Sequence, residues 1–173
     1  LGAGANMIND VSALSEPEMA QVAAAANAKL TIMHMRGTPA DMQERTQYDF
    51  LLGDVFDELL LRAHRAMISG VSPKRLFLDP GIGFSKTAEQ SQRLMGQLHI
   101  WRASGFQSLA GPSRKSFMAP FLNNAEPNQR DLGTAGAAAL CASAGVDVIR
   151  LHTGEKIWDA AKVAWGCTST NLE

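Results

Sequence analysis

Short apolar runs alternate along the whole chain with longer segments whose apolar residues recur at helical spacing. Residues 5–8 predict a strand ending at Asn9-Asp10. Ser15 followed by Glu18, with Pro17 in the first turn, is a capping-box signature that opens an Ala-rich helix over 16–27. A second strand is expected over 30–35. Leu52, Val55, Phe56, Leu59, Leu60, Ala63 and Met67 then line one face of a helix over 48–69, which Gly70 and Pro73 stop. A third strand at 75–79 precedes a helix over 88–103. After Gly105 come a fourth strand at 106–110, the loop 111–116 and a short helix to about 122. A polar connection leads to Asp131, placed to cap a helix of small residues over 132–144. Gly145, a fifth strand at 146–151 and a helix over 155–164 complete the pattern, with Trp158, Ala161 and Trp165 on one side of that helix.

Repeated strand–helix units with right-handed crossovers give a parallel sheet with helices outside. Residues 3–9 and 144–150 echo one another: a helix end, a glycine, an apolar strand and a polar residue at the rim. A closed eight-fold α/β barrel typically needs about 250 residues. Five units therefore suggest the last five-eighths of a (β/α)8 TIM-type barrel, with an independent flavodoxin-like sheet as the rival fold. The chain opens Leu1-Gly2-Ala3-Gly4-Ala5, a pattern expected where a helix ends and a strand follows, so it is expected to begin inside a larger protein. Residues 1–173 read as one domain, and Leu172-Glu173 is either native or a cloning remnant.

Composition narrows the classes. Apolar residues make up 46% and charged ones 19%, values of an ordinary globular protein. A net charge of −1 argues against non-specific attraction to nucleic acid or membranes, so any anion site must be local. Cys141 and Cys167 lack C-x-x-C spacing and read as packed or surface thiols in a reducing compartment. With no apolar run near membrane-span length and no signal peptide, a cytoplasmic location is expected.

The chemistry gathers at the C-terminal ends of the strands, where such sheets build their sites. In Phe77-Leu78-Asp79-Pro80-Gly81-Ile82-Gly83-Phe84, an apolar strand ends on one carboxylate before a proline and two glycines. The other rims offer Asn9-Asp10, His34-Met35-Arg36, Ser113-Arg114-Lys115-Ser116 and Arg150-Leu151-His152. Carboxylates and the amide come early, cations late. The last two loops suit a phosphate: Arg150 could fork onto its oxygens and His152 add a hydrogen bond. Singly, Asp79 reads equally well as a capping residue, while Arg150, His152, the 113–116 loop and His34-Met35 are better read as rim, turn or packing residues. No His, Asp or Cys set has metal-ligand spacing.

Together, M-I-N-D, I-M-H-M-R-G-T-P, F-L-D-P-G-I-G-F, G-P-S-R-K-S and V-I-R-L-H, in that order from Gly4 to about Trp165, resemble the dihydropteroate synthase family of pterin-binding enzymes. The resemblance implies an eight-stranded α/β barrel in which these strands are the fourth to the eighth. It implies a transferase of folate biosynthesis, a sulfonamide target, that condenses 6-hydroxymethyl-7,8-dihydropterin pyrophosphate with p-aminobenzoate and releases pyrophosphate. On that pattern Asn9, Met35, Asp79, Gly111 and Lys115 bind the pterin. Phe84, Arg114 and Ser116 match the p-aminobenzoate pocket. Arg150 and His152 match the pyrophosphate site. Asp79, Lys115, Arg150 and His152 carry the catalytic roles.

The same resemblance implies Mg2+ accompanying the pyrophosphate, with its protein ligand in the N-terminal part that this chain lacks. It also implies a homodimer through later helices, for which 132–144 and the Trp158/Trp165 stripe are candidates alongside core packing. Thr153 stands where many relatives carry an acidic residue. With the first three strands and their two mobile loops absent, the chain alone is expected to be inactive, and its open edge to favour association. A pterin-binding methyltransferase domain and a non-catalytic pterin-binding remnant are the alternatives.

Overall fold

The computed structural model describes residues 1–16, 18–152 and 154–169. Five strands form one sheet: β1 (Met7–Asp10), β2 (Lys29–Met33), β3 (Leu76–Asp79), β4 (Gln107–Ala110) and β5 (Val148–Ile149). All neighbouring strands are parallel and the order is β1-β2-β3-β4-β5. That order decides between the two expected folds. A doubly wound sheet reverses its strand order at a switch point. Here every strand lies beside its predecessor, so crossovers of one hand leave all helices on one face. The result is a segment of barrel wall.

The helices are α1 (Glu18–Ala25), α2 (Leu51–Ile68), α3 (Ala88–Met95), α4 (Asp131–Ser143) and α5 (Glu155–Ser169). Leu30, Ile32, Leu76, Leu78 and Ala110 pack in one cluster with Val55, Leu59 and Ala63 of α2, Leu94 of α3, and Trp101. Strand alternation then puts Asn9, Thr31, Met33, Phe77, Asp79, Leu109, Val148 and Arg150 on the opposite, inner face. The register agrees: Thr31 pairs with Phe77, Met33 with Asp79, and Leu109 with Val148. A second cluster joins Ala138 and Ala142 of α4 to Ile157 and Ala161 of α5, where small side chains let two helices approach closely. Trp158 and Trp165 lie on the exposed side of α5, as Leu132 and Leu140 do on α4.

Several boundaries differ from expectation for identifiable reasons. The first strand runs to Asp10, so Asn9 and Asp10 sit within it. The helix expected over 88–103 breaks at Gly96, and the chain continues as a 3-10 segment, Leu98–Ser104, that carries Trp101 into the core. Its start is fixed by a reciprocal cap between Thr87 and Gln90. Asp131 is not a cap: it is the first residue of α4, and its carboxylate holds Arg114 instead. β5 is only two residues long, although the ladder continues through Arg150 N–H donating to Ala110 O at 2.9 Å. Pro17 and Thr153 lie outside the described residues.

Candidate active site at the strand ends

Asp79 closes β3 in a backbone turn that only glycine permits. His34 N–H donates to Asp79 O at 2.8 Å, carrying the β2–β3 ladder to the rim. Gly81 N–H then donates to Asp79 Oδ1, also at 2.8 Å. Gly81 has φ +66, and a Cβ there would lie 2.0 Å from the His34 carbonyl oxygen. The chain must curl this tightly for its amide to reach the carboxylate. Asp79 is 5% exposed. Burial pushes its carboxyl up to about 6; the Gly81 amide, then the charges of Lys115, Lys86 and Arg150, pull the other way.

Lys115 is the facing cation. Its stem lies along Gly83, where an added Cβ would stand 3.2 Å from Lys115 Cδ. Its ammonium sits 3.8 Å from the centre of the Phe84 ring, a cation–π contact. Burial lowers its pKa, the Asp79 charge opposes that, and Arg150 lowers it further. The charges of Lys115 and Arg150 both act on Asp79, which shares the inner face of the sheet with Arg150. Gly111 leaves room beside Arg150, since a Cβ there would meet the Arg150 Cβ at 3.9 Å. Ser113, buried, accepts the His152 N–H on its Oγ at 3.2 Å and ties the β4 loop to the end of β5. Arg150 and His152 are exposed and line a hollow of about 420 Å³ together with Asn9, Leu109 and Trp158.

The remaining expected residues fall elsewhere. Met35 is buried on the wall of a neighbouring cleft of about 740 Å³, beside Arg36, Arg45, Arg62 and Arg65. Arg114 has φ +57 and donates its backbone N–H to Thr134 Oγ1 at 3.0 Å. Its guanidinium forks onto Asp131, with Nε to Oδ1 at 2.7 Å and Nη2 to Oδ2 at 3.0 Å. Ser116 is exposed at the start of the 3-10 segment Ser116–Phe121. So the structure joins Asp79, Phe84, Lys115, Gly111 and Arg150 in one neighbourhood, puts Asn9 and His152 on the adjoining hollow, and anchors Arg114 to α4.

A buried polar network behind Asp79 was not anticipated. His34, fully buried, faces Glu58 with Nε2 3.2 Å from Oε2; the N–H is poorly aligned, so this is a close electrostatic contact rather than a straight hydrogen bond. Lys86 Nζ lies 2.9 Å from His34 Nδ1 and 3.0 Å from Phe84 O. Glu58 also pairs with Arg36 and Arg62. Arg36 stacks on Tyr48, 4.0 Å from guanidinium to ring centre, and its backbone N–H donates to Ser85 Oγ. Tyr48 donates to Ser85 O at 3.0 Å. One sequence signal existed: Glu58 and Arg62 interrupt the apolar stripe of α2 four residues apart.

The comparison with known proteins places this arrangement. Residues 1–152 match the model of the family described as pterin binding enzyme. The chain belongs to that family. It is 42% identical over 165 residues to the dihydropteroate synthase of Synechocystis sp., covering 95% of this chain and 57% of that protein. It is 33% identical over 160 residues to the Escherichia coli dihydropteroate synthase, covering 92% and 56%. Among solved structures it is similar to Yersinia pestis dihydropteroate synthase with a sulfonamide drug complex, at TM-score 0.91 and 32% identity over 97% of this chain and 61% of that one. It is also similar to the Thermus thermophilus enzyme in complex with 6HMPPP, at TM-score 0.86 and 31% identity over 99% and 66%. The chain spans a little over half the length of the curated relatives it matches. No helix among the described residues is long and apolar enough to cross a membrane.

Proposed function

We propose that this chain forms the pterin and pyrophosphate pocket of a dihydropteroate synthase, which joins p-aminobenzoate to a dihydropterin and releases pyrophosphate. The observation that carries the reading is a buried carboxylate, Asp79, at the strand ends within reach of the charges of Lys115 and Arg150, with Lys115 seated on the Phe84 ring.

The chemistry follows from that polarity. A pterin presents a guanidine-like edge of donors, and Asp79 is an acceptor held ready for it by the Gly81 amide. Each charge-assisted bond contributes roughly 1.5–3 kcal/mol. Asn9 adds an amide from the adjoining hollow, and Lys115 donates to the carbonyl and ring nitrogen of the opposite edge. As the carbon–oxygen bond to pyrophosphate breaks, positive charge grows on the ring and negative charge on the leaving group. Asp79 stabilises the first; Arg150 and His152 receive the second. The aromatic amine then attacks the methylene carbon without needing a strong base. Phe84 and Ser116 border the p-aminobenzoate side, with Arg114 held there by Asp131. The Arg150–His152 pole does not fit a divalent metal: among the described residues no group of three His, Cys, Asp or Glu gathers. We propose that Mg2+ accompanies the pyrophosphate.

The methyltransferase alternative needs no pyrophosphate site, so Lys115 and Arg150 with the His152 imidazole speak against it. We further propose a cytoplasmic homodimer, for which the exposed Leu132, Leu140, Trp158 and Trp165 on α4 and α5 are candidate contacts. The chain alone is expected to bind without turning over. Calorimetry of the 173-residue chain should show 6-hydroxymethylpterin pyrophosphate binding at least tenfold more tightly than 6-hydroxymethylpterin, and no dihydropteroate on adding p-aminobenzoate. Equal affinity for the two pterins would contradict the anion pole, and product formation would contradict the inactivity.

A further inference from the structure

Lys86 is an ammonium 3% exposed, in a loop whose backbone turns left-handed at Gly81, Gly83 and Ser85. Such a loop is held by what grips it from outside. Ser85 is gripped twice, by the Arg36 amide and by the Tyr48 hydroxyl. Phe84 is gripped by Lys86, which donates to its carbonyl at 3.0 Å while reaching His34 Nδ1 at 2.9 Å. The Phe84 ring is in turn the floor under the Lys115 ammonium.

We propose that Lys86 is a positioning residue: by bridging His34 Nδ1 to the Phe84 carbonyl, it seats the Phe84 ring under Lys115 and so aims that ammonium across the pocket toward Asp79. The function assigned to this relay rests on the pocket reading above, whereas the relay itself is a property of the folded chain. Its chemistry fixes a proton. An ammonium has three donors and no acceptor, so His34 Nδ1 must accept and its proton must sit on Nε2, toward Glu58. Burial keeps the imidazole neutral, lowering its pKa to about 4. Burial brings the Lys86 pKa down to about 7, with Asp79 and Glu58 opposing that fall and Arg36 and Arg62 adding to it.

Nuclear magnetic resonance of the whole chain at pH 6.5 tests the relay without substrate. Histidine nitrogen shifts should show His34 as the Nε2–H tautomer; an Nδ1–H tautomer overturns the proposal, with no variant required. The ε-methylene protons of Lys115 should resonate upfield because of the Phe84 ring. In Lys86→Met that displacement should collapse while the Trp101 indole signal holds, and affinity for 6-hydroxymethylpterin should fall about tenfold. A folded Lys86→Met protein with the Lys115 signal unmoved overturns the relay. Should the unaltered chain bind no pterin, the pocket reading fails, and the tautomer and ring shift still decide the relay.

Discussion

The two ends of the proposed pocket are built differently. At the β2–β3 rim every chemical group is held by another: Asp79 by Gly81, His34 by Lys86 and Glu58, Arg36 by Glu58 and Tyr48, Ser85 by two donors. At the β4–β5 rim, Arg150 and His152 are exposed, their backbones tied by single bonds to Ala110 and Ser113. The difference matches the proposed tasks. A neutral ring with a fixed donor pattern is read best by groups that cannot move, because an unmatched buried donor costs affinity. A leaving pyrophosphate must be received and then let go, which suits side chains that remain in water. Rigidity belongs to recognition here, and openness to release.

The largest expected effect comes from breaking the rigid end at its carboxylate. Asp79→Asn should weaken 6-hydroxymethylpterin binding about a hundredfold, as two charge-assisted bonds become neutral ones. Stability should move the other way. The folded carboxyl keeps its proton up to about pH 6, whereas an unfolded one loses it near 4. Its contribution is therefore greatest below pH 4 and is lost as pH rises through 6, by roughly 2–3 kcal/mol. Thermal melts between pH 4 and 7 should show that decline in the unaltered chain and not in Asp79→Asn, which should melt higher at pH 7. A variant that kept full pterin affinity would remove Asp79 from the pocket.

Glu58→Gln tests the support rather than the reader. Glu58 stands 28% exposed between His34 and Arg36, whose contacts, His34 first, hold its carboxyl well below the usual range against the opposing effect of burial. A group of that kind stabilises above its unfolded pKa of about 4.5 and loses the contribution as pH falls. The variant should lose about 2 kcal/mol at pH 7 and show a shallower acid limb in the same melts. Pterin affinity should drop only a few-fold, through looser seating of the 81–86 loop.

What the sequence made legible follows the same division. Asp79, Gly81 and Phe84 stand out only in combination: the Asp-Pro-Gly turn alone reads equally well as a cap, and it is Lys115 and Arg150 after later strands, in the family's motif order, that give it a chemical meaning. Barrel geometry was favoured by the repeat but settled by strand order, which no local pattern encodes. The supporting network was invisible because its bonds span distant positions: Lys86 to His34 across 52 residues, Arg36 to Ser85 across 49. The hold of Asp131 on the Arg114 fork, across 17 residues, is likewise out of local reach, since Asp131 reads from sequence as a cap. The break at Gly96 was readable, since Thr87-x-x-Gln90 is a capping signature and Gly96 a stop, but the apolar residues beyond it masked the end.

Arg150→Ala sharpens the comparison with the smallest effect, confined to one ligand. Arg150 is exposed and its side chain pairs with no carboxylate in the described residues, so the fold should lose little: melting at pH 7 should be unchanged within about 0.5 kcal/mol. Its N–H bond to Ala110 O is made by the backbone and survives the change. Affinity for 6-hydroxymethylpterin should stay within about twofold, because the ring is read at the other end. Affinity for the pyrophosphate ester should fall about tenfold, as one bidentate contact is lost in a well-solvated place. Raising the salt concentration should shrink the difference between the two ligands in the unaltered chain and barely alter it in the variant, since exposed charges are screened and buried ones are not. Equal losses for both ligands would mean that Arg150 shapes the ring site as well, and the division between a fixed reader and an open receiver would fail.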